Sequence, residues 1–159
     1  MKLLVFSDTH GKEAPFLQAI HDEIEMGPVN SIFFLGDGYS DINTAEKVFS
    51  SIPFYRVAGN CDFSSADPLY GLAPLGGVLF FYTHGHAFGV KNNLDRLYEA
   101  ASRAGADVAL FGHTHYALTD TIGTVTLFNP GALARPNGAP SYGRITIENK
   151  VPQFQHILY

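Results

Sequence analysis

The sequence predicts an α/β fold of the α+β sandwich kind, in which two packed mixed β-sheets are flanked by helices. Short apolar runs alternate with helical patterns in the first half of the chain, and hairpin signals dominate the second half. Apolar residues make up 46% of the sequence and charged residues only 16%, which indicates a compact core. Because the 159 residues contain no internal repeat and no linker-like stretch, we expect a single domain over residues 1–159.

The first half of the chain has the strand–helix alternation typical of parallel βαβ units. Three short apolar runs predict buried strands, and apolar side chains at helical spacing predict two helices between them. Asp41 is the expected N-cap of the second helix, because its short carboxylate can accept a backbone N–H. The expected strands are 2–7, 31–35 and 54–58, and the expected helices are 12–25 and 41–50.

The second half of the chain predicts antiparallel hairpins. Gly76-Gly77 separates two apolar stretches, and Ile122-Gly123-Thr124 and Asn149-Lys150 are expected to form two further turns. One amphipathic helix and one more buried strand precede the last two hairpins. The expected elements are a helix over 93–104 and strands at 108–111, within 118–128 on either side of the turn, at 142–148 and at 151–157.

Five apolar runs end in glycine next to Asp, Asn or His. In sheets of this kind ligands bind outside the carboxyl ends of the strands, so we expect these segments to converge on one crevice. Five of the seven histidines fall within them. The segments are residues 8–11, 36–38, 59–62, 84–86 and 112–115.

The side chains of these segments predict a metal centre. They combine carboxylate and amide oxygens with imidazole nitrogens and lack thiolate pairs, a set that suits Mn²⁺, Fe²⁺, Co²⁺, Ni²⁺ or Zn²⁺ better than Ca²⁺ or Mg²⁺. One ion takes about four to six ligands, so seven candidates are better explained by two divalent ions that share a carboxylate. The candidates are Asp8, His10, Asp37, Asn60, His84, His113 and His115.

The order Asp-x-His, Gly-Asp, Gly-Asn, His and Gly-His-x-His resembles the calcineurin-like metallophosphoesterase superfamily over nearly the whole chain. Gly59-Asn60-Cys61-Asp62, Thr83-His84-Gly85-His86 and Asn129-Pro130-Gly131 look like its small YfcE-type phosphodiesterase branch. The resemblance implies a four-layer fold and a hydroxide, bridging two ions, that attacks a small phosphodiester. Manganese is the expected metal, with Fe, Zn, Ni or Co as alternatives. The resemblance assigns Asp8, His10 and His115 to one ion, Asn60, His84 and His113 to the other, and Asp37 to both.

One position departs from the superfamily pattern. Many members have histidine after the Gly-Asn pair, where this chain has Cys61. Cys61 and Asp62 are the candidate catalytic residues, and Asn60 and His86 are candidate substrate-binding residues. Several alternatives stay open: Cys61 lines the site or packs, Asp62 orients a neighbour or forms a turn, and His86 makes a structural hydrogen bond.

Charge and composition exclude several classes of protein. The net charge is −5 and the ten basic residues are scattered, so there is no basic track for nucleic acid. Cys61 is the only cysteine, which excludes an intrachain disulfide and a Cys-rich zinc module. No apolar run approaches the ~20 residues of a membrane span, and residues 1–10 lack a signal-peptide pattern, so we expect a cytoplasmic protein. The aromatic content of 13% is compatible with a homo-oligomer.

Two other functions compete with a phosphodiesterase. The first is a non-catalytic binding scaffold of the same fold, for which the retromer scaffold subunit is the comparison. The second is a phosphomonoesterase. A protein phosphatase or nuclease is less favoured, since the chain is short for a substrate-capping domain and has no basic track.

Overall fold

The computed structural model describes residues 1–134 and 138–159, which form ten strands and three α-helices. A short 3₁₀ helix, His86–Phe88, follows the fifth strand. The strands are β1 Lys2–Phe6, β2 Ser31–Phe34, β3 Phe54–Arg56, β4 Tyr70–Leu75, β5 Val78–Thr83, β6 Val108–Leu110, β7 Leu118–Ile122, β8 Val125–Asn129, β9 Ser141–Glu148 and β10 Val151–Leu158. The helices are α1 Glu13–Glu25, α2 Tyr39–Val48 and α3 Asp95–Arg103.

The strands form two five-stranded mixed sheets. The first has the order β10-β9-β1-β2-β3, and the second has the order β4-β5-β6-β8-β7. The central strands are parallel within each sheet: β1 with β2 and β2 with β3 in the first, and β5 with β6 and β6 with β8 in the second. Hairpin strands then complete the sheets in antiparallel pairings.

The sheets pack face to face because successive side chains of a strand point to opposite faces. Leu3 and Val5 of β1 enter the core between the sheets, with Phe80 and Leu110 of the second sheet. Leu4 and Phe6 of β1 point the other way and pack with residues of α1 and α2. On the far side, α3 covers the outer face of the second sheet. The four layers confirm the predicted sandwich of two mixed sheets flanked by helices.

One expectation about α2 is wrong. The helix begins at Tyr39 with Gly38 as its N-cap, so Asp41 lies inside the first turn instead of capping it. The Asp41 side chain is buried, and its Oδ2 accepts hydrogen bonds from Thr9 Oγ1 at 2.5 Å and from Gly11 N at 2.9 Å. The carboxylate therefore fixes the loop after β1 and does not satisfy the helix end.

The helices are short compared with a lipid bilayer. The 13 residues of α1 span about 20 Å, whereas the hydrocarbon core of a bilayer is about 30 Å thick. Within the described parts of the chain, no helix combines the length and apolar character needed to cross a membrane.

Candidate metal centre

The polar loops that follow the parallel strands of both sheets meet at one edge of the sandwich. The loop after β6 joins the loop after β1, since His113 N donates to Asp8 Oδ2 at 3.0 Å. The loop after β5 joins the end of β2, with His84 Nδ1 2.7 Å from the Leu35 carbonyl oxygen. The geometry thus brings side chains from five strand ends together, as the sequence predicted.

The first group of candidate ligands surrounds Asp8. His115 Nε2 lies 3.0 Å from Asp8 Oδ1, and His10 Nε2 lies 3.8 Å from the same oxygen. One ligand atom of each of these three residues falls within 4.8 Å of the others. That spacing allows one cation to contact all three side chains.

The second group surrounds His84. Its Nε2 lies 3.0 Å from Asn60 Oδ1, 3.1 Å from His113 Nδ1 and 3.5 Å from Asp37 Oδ2. Because the Leu35 carbonyl can only accept, His84 Nδ1 carries the hydrogen and Nε2 presents a lone pair to these neighbours. A hydrogen bond of this kind fixes the tautomer in which histidine ligates a metal.

Asp37 lies between the two groups. Its Oδ2 is 3.5 Å from His84 Nε2 and 3.8 Å from His10 Nε2. Its Oδ1 accepts the backbone N–H of Cys61 at 2.8 Å. The side chain is almost fully buried, so the carboxylate is held where it can face both groups.

An orphaned oxygen on Asp8 fits a bound cation. Asp8 is fully buried, and its Oδ2 accepts hydrogen bonds from Ser7 Oγ at 2.5 Å and from His113 N. Asp8 Oδ1 is buried without a hydrogen-bond partner of good geometry, even though His115 Nε2 is near. Buried carboxylate oxygens ordinarily have partners, so this one suits a metal ion held by Asp8, His10 and His115.

The backbone of the site is strained. Seven non-glycine residues in the described chain have positive φ, and two of them form the β9–β10 turn. Residues in this region cost about 1–3 kcal/mol each and concentrate at functional sites. The other five are candidate ligands: Asp8, His10, Asp37, His113 and His115.

Asp62 connects two of the site loops through hydrogen bonds to their backbones. Its Oδ1 accepts the backbone N–H groups of Gly38 and Tyr39, both at 3.0 Å. Its Oδ2 accepts those of Asp37 and Gly59, both at 2.8 Å. Both oxygens of this candidate catalytic residue therefore face the backbone that positions Asp37.

Glycine is required where these loops touch. A Cβ on Gly36 would lie 2.7 Å from the Gly59 Cα, and one on Gly112 would lie 2.9 Å from Asp8 Oδ2. Real Cβ atoms do not approach other atoms so closely. The glycines next to the candidate ligands therefore permit the contact between strand ends.

The charges of the cluster shift several pKa values. Burial opposes ionisation of Asp8, but its contacts with His115, His84 and Ser7 outweigh that effect and lower its pKa. The adjacent Asp8 carboxylate, 3.0 Å from His115 Nε2, raises the pKa of His115. Burial, followed by the proximity of His84, lowers the pKa of His113 to about 4, which keeps this imidazole neutral at pH 7 and able to ligate.

Cys61 is exposed beside the carboxylates. Its Sγ falls within 4.8 Å of ligand atoms of His10 and Asp37, and Asn60 Nδ2 lies 3.3 Å from the sulfur. Partial desolvation of the thiol by its neighbours, together with the negative charge of Asp37, raises its pKa. Cys61 therefore stays a neutral thiol at pH 7, which does not favour a nucleophilic role.

His86 lies at the rim of the second group. Its ring centroid is 5.3 Å from that of His84 and 6.1 Å from that of His113. His86 Nδ1 is buried and has no hydrogen-bond partner among the described residues. Burial is the main reason why its pKa is lowered.

Sequence reasoning assigned no role to the side chains of two residues that support the site. Ser7 donates to the buried oxygen of Asp8, and Asn129 Nδ2 donates to the Gly112 carbonyl at 3.0 Å and to Thr114 Oγ1 at 3.1 Å. Asn129 thereby fixes the loop that carries His113 and is itself fully buried. The Asn129-Pro130-Gly131 motif predicts a turn, but the sequence does not indicate which loop the Asn129 side chain contacts.

Comparison with known proteins shows relatives along most of the chain. Probable metallophosphoesterase YsnB of Bacillus subtilis is 34% identical over 151 residues, covering 94% of this chain and 86% of that protein. Phosphodiesterase YfcE of Escherichia coli K12 is 32% identical over 170 residues, covering 91% and 87%. Vacuolar protein sorting-associated protein 29 of Schizosaccharomyces pombe is 30% identical over 159 residues, covering 97% and 82%.

The fold comparison agrees with the sequence relatives. The solved structure of the phosphoesterase YfcE from E. coli superimposes with a TM-score of 0.67 at 25% identity, covering 96% of this chain and 91% of that one. The family model for the calcineurin-like phosphoesterase superfamily domain matches residues 1–150. With the two ligand groups at the strand ends, these matches confirm the family that the sequence motifs indicated: the chain belongs to the calcineurin-like phosphoesterase superfamily, a family of metal-dependent hydrolases.

Proposed function

We propose that this protein is a binuclear metal-dependent phosphodiesterase that hydrolyses a small phosphodiester. The observation that carries the proposal is the pair of ligand groups on either side of Asp37, one of them with the orphaned Asp8 Oδ1. Similarity to a protein named phosphodiesterase supports diesters as the substrate class. Two ions are favoured over one because the seven candidate ligands form two groups instead of a single shell.

Each ion has its own set of ligands in this proposal, and we expect manganese, with Fe, Zn, Ni or Co as alternatives. When bound, divalent ions would generate the nucleophile from water at neutral pH and neutralise charge on the phosphate. Asp37 is the shared ligand. The first ion is assigned to Asp8, His10 and His115, and the second to Asn60, His84 and His113.

The protein's own residues orient the reaction. Asp62 is a positioning residue, because its oxygens accept the amides that fix Asp37. Asn60 adds no negative charge next to the substrate oxygens, and the half-buried side chain of His86, at the rim of the second group, is the proposed substrate contact. Hydrolysis breaks the bond between phosphorus and the leaving oxygen, which must then be protonated or leave as a stable anion. Cys61 is a weak donor, so activated leaving groups are favoured.

Metal content and hydrolysis together test this proposal. Protein reconstituted with Mn²⁺ is assayed with bis(p-nitrophenyl) phosphate before and after chelation, while elemental analysis counts the bound ions. We expect two ions per chain and loss of turnover on chelation, restored by added Mn²⁺. Full activity with one ion per chain would contradict the two-metal mechanism.

A second candidate, a non-catalytic scaffold, is favoured by the 30% identity to vacuolar protein sorting-associated protein 29. The two functions differ in turnover and not in fold. Metal-loaded protein that hydrolyses no diester, monoester or cyclic nucleotide would support the scaffold. We place the enzyme first because all seven candidate ligands are present and spatially grouped.

The choice between diesters and monoesters depends on Cys61. A histidine at this position could protonate a poor leaving group, an effect worth about 10²–10⁴-fold. We therefore expect Cys61→His to raise kcat/KM for alkyl monoesters relative to aryl diesters, with both ions still bound, and Cys61→Ser is the size-matched control. If the wild type already prefers alkyl monoesters, Cys61 does not set the substrate class.

Three further expectations remain predictions. They are a single domain over residues 1–159, a cytoplasmic location and a homo-oligomer. Limited proteolysis, fractionation of the source cells and light scattering would test them in that order.

A further inference from the structure

A cleft of about 350 Å³ adjoins the candidate metal centre. Its lining includes His10, Asp37 and Cys61 of the candidate metal centre together with Tyr39 and Phe63. Small-molecule sites usually measure about 300–1,000 Å³, so this cleft has space for a substituent carried by a metal-bound phosphate. Its residues define what that substituent can be.

Phe63 is an exception among the phenylalanines. Of the thirteen in the chain, all of which the structure describes, twelve are buried or half-buried, whereas Phe63 is 92% exposed. Leaving such a side chain in water forgoes about 1.5–3 kcal/mol of burial free energy, and Phe63 is one of the residues that line the cleft. A ligand that covers the ring would recover that free energy.

Tyr39 is held rigidly on the same cleft. The guanidinium carbon of Arg56 lies 5.5 Å from the Tyr39 ring centroid, a cation–π distance. Arg56 is itself fixed by Asp67 at 2.8 Å and by Glu46 at 2.8 Å. The contact with Arg56 therefore restrains the Tyr39 ring in the ligand-free protein.

One carboxylate ties the two aromatic residues together. Asp62 Oδ1 accepts the backbone N–H of Tyr39 at 3.0 Å, and Phe63 is the next residue in the chain. The same carboxylate positions Asp37. The backbone of Tyr39 and that of the candidate metal ligand Asp37 are therefore anchored to a single carboxylate, and Phe63 follows that carboxylate directly in the chain.

The charge of the cleft favours a neutral substituent. No Lys or Arg is among its lining residues in the described chain. The carboxylates of Asp41 and Asp62 are occupied by Thr9 and by backbone amides. Arg56, which lies over Tyr39, is already paired with Asp67 and Glu46, so a second anionic group would find no unpaired Arg or Lys among these residues, whereas a flat apolar group could lie against the aromatic rings.

We propose that this cleft is a substrate subsite for a flat, uncharged aromatic substituent of the phosphodiester, stacked on Phe63 beside Tyr39. A nucleobase and a simple aryl group share this chemistry. The inference rests on the proposed function, because the phosphate of the same molecule would occupy the metal centre. Stacking of a base on an aromatic side chain is worth about 5–150-fold in affinity.

Binding of phosphonates tests the subsite without any turnover. Titration calorimetry on Mn²⁺-loaded protein compares phenylphosphonate with cyclohexylphosphonate, which is similar in size but not flat or aromatic. We expect phenylphosphonate to bind about tenfold more tightly to the wild type. Phe63→Ala should abolish this preference, Phe63→Tyr should keep it, and Met26→Ala, an exposed apolar residue beside the start of β1, serves as the matched control.

Hydrolysis then separates the two sources of an aromatic group. The kcat/KM of thymidine 5′-(p-nitrophenyl phosphate) is compared with that of bis(p-nitrophenyl) phosphate, which has the same leaving group, in wild type and Phe63→Ala. A larger loss for the thymidine diester identifies a nucleobase, and a measurable loss that is equal or larger for bis(p-nitrophenyl) phosphate identifies a simple aryl group, whereas no loss for either diester contradicts the subsite. The proposal is overturned if wild type binds both phosphonates equally or if the preference survives in Phe63→Ala. Preferential binding without turnover would retain the subsite and refute the phosphodiesterase.

Discussion

Two buried carboxylate clusters in this protein are neutralised in different ways. Glu23 of α1 is fully buried, yet its oxygens contact Arg144 Nη2 at 2.6 Å, Tyr142 Oη at 2.8 Å and Lys2 Nζ at 3.5 Å. In the metal-ligand cluster, Asp8 and Asp37 are as deeply buried but contact only imidazoles, a hydroxyl and amides within the described chain.

The difference lies in where the compensating positive charge comes from. The Glu23 cluster, defined as Glu23 with Lys2, Tyr142 and Arg144, contains its own cations and is complete when the chain folds. The carboxylates of the ligand cluster contact no Lys or Arg among the described residues, and Asp8 Oδ1 is left without a hydrogen-bond partner. The Glu23 cluster should therefore stabilise the fold without any ligand. The metal-ligand cluster should need bound cations to neutralise its buried carboxylates.

The largest effect is expected from Asp37→Ala. Removing a ligand that faces both groups should lower kcat/KM for an aryl diester by more than the roughly 10–100-fold seen when a residue supporting a ligand is changed. Elemental analysis of the same sample should show loss of bound metal. Glu23→Gln is the matched control and should retain both ions and turnover per folded molecule. An active Asp37→Ala with two ions would refute the ligand assignment.

Glu23→Gln should have the largest effect on stability. It leaves Arg144 beside a neutral group, and breaking one partner of a buried pair costs about 3–5 kcal/mol. Because the Arg144 side chain is 21% exposed, we expect about 3 kcal/mol, measured by urea unfolding in the presence of EDTA. An unchanged unfolding midpoint would show that the Glu23 cluster contributes no net stability.

Metal binding should stabilise the fold through the ligand cluster alone. At a free Mn²⁺ concentration of 100 times Kd, one ion contributes about 2.7 kcal/mol, which corresponds to roughly 5–11 °C in Tm for a chain of this size. Thermal unfolding with and without EDTA should show this shift in wild type and in Glu23→Gln, but not in Asp37→Ala. A shift that survives in Asp37→Ala would place the stabilising ion elsewhere.

Lowering the pH should reduce the contribution of the Glu23 cluster to the free energy of unfolding. Burial opposes ionisation of Glu23, but Arg144, Tyr142 and Lys2 outweigh it and lower its pKa below 4.5. A lowered pKa stabilises the fold above the unfolded value, and that contribution is lost as the pH falls through the folded value. The stability difference between metal-free wild type and Glu23→Gln should therefore be constant from pH 7 to 6 and shrink below about pH 4.5. A difference that grows in acid would show that the pKa of Glu23 is raised in the folded protein instead of lowered.

The convergence of the candidate ligands could be predicted because parallel strands expose their carboxyl ends at one edge. Sheet order could not be predicted in the same way. The pairing of Lys2 with Thr146 joins distant parts of the chain, and no local pattern marks it. The elements themselves were predicted within a few residues because their apolar periodicity is local.

Asp41 and Asp62 show what the sequence does not reveal. A carboxylate at a helix start has the same local pattern whether it caps the helix or, like Asp41, accepts hydrogen bonds from a loop about thirty residues away. Asp62 follows a strand end like a metal ligand, but its oxygens accept four backbone N–H groups. In both cases the role is set by tertiary contacts of the backbone.

The left-handed backbone at five candidate ligands has a consequence for protein engineering. Glycine tolerates positive φ, so replacing a strained ligand such as His113 or His115 with glycine would relieve about 1–3 kcal/mol of strain. Directed evolution that selects only for heat resistance, in medium without metal, would therefore enrich variants that have lost the site. Libraries that aim for a robust catalyst should hold these five codons and those of the Glu23 cluster constant and diversify exposed positions of the helices instead.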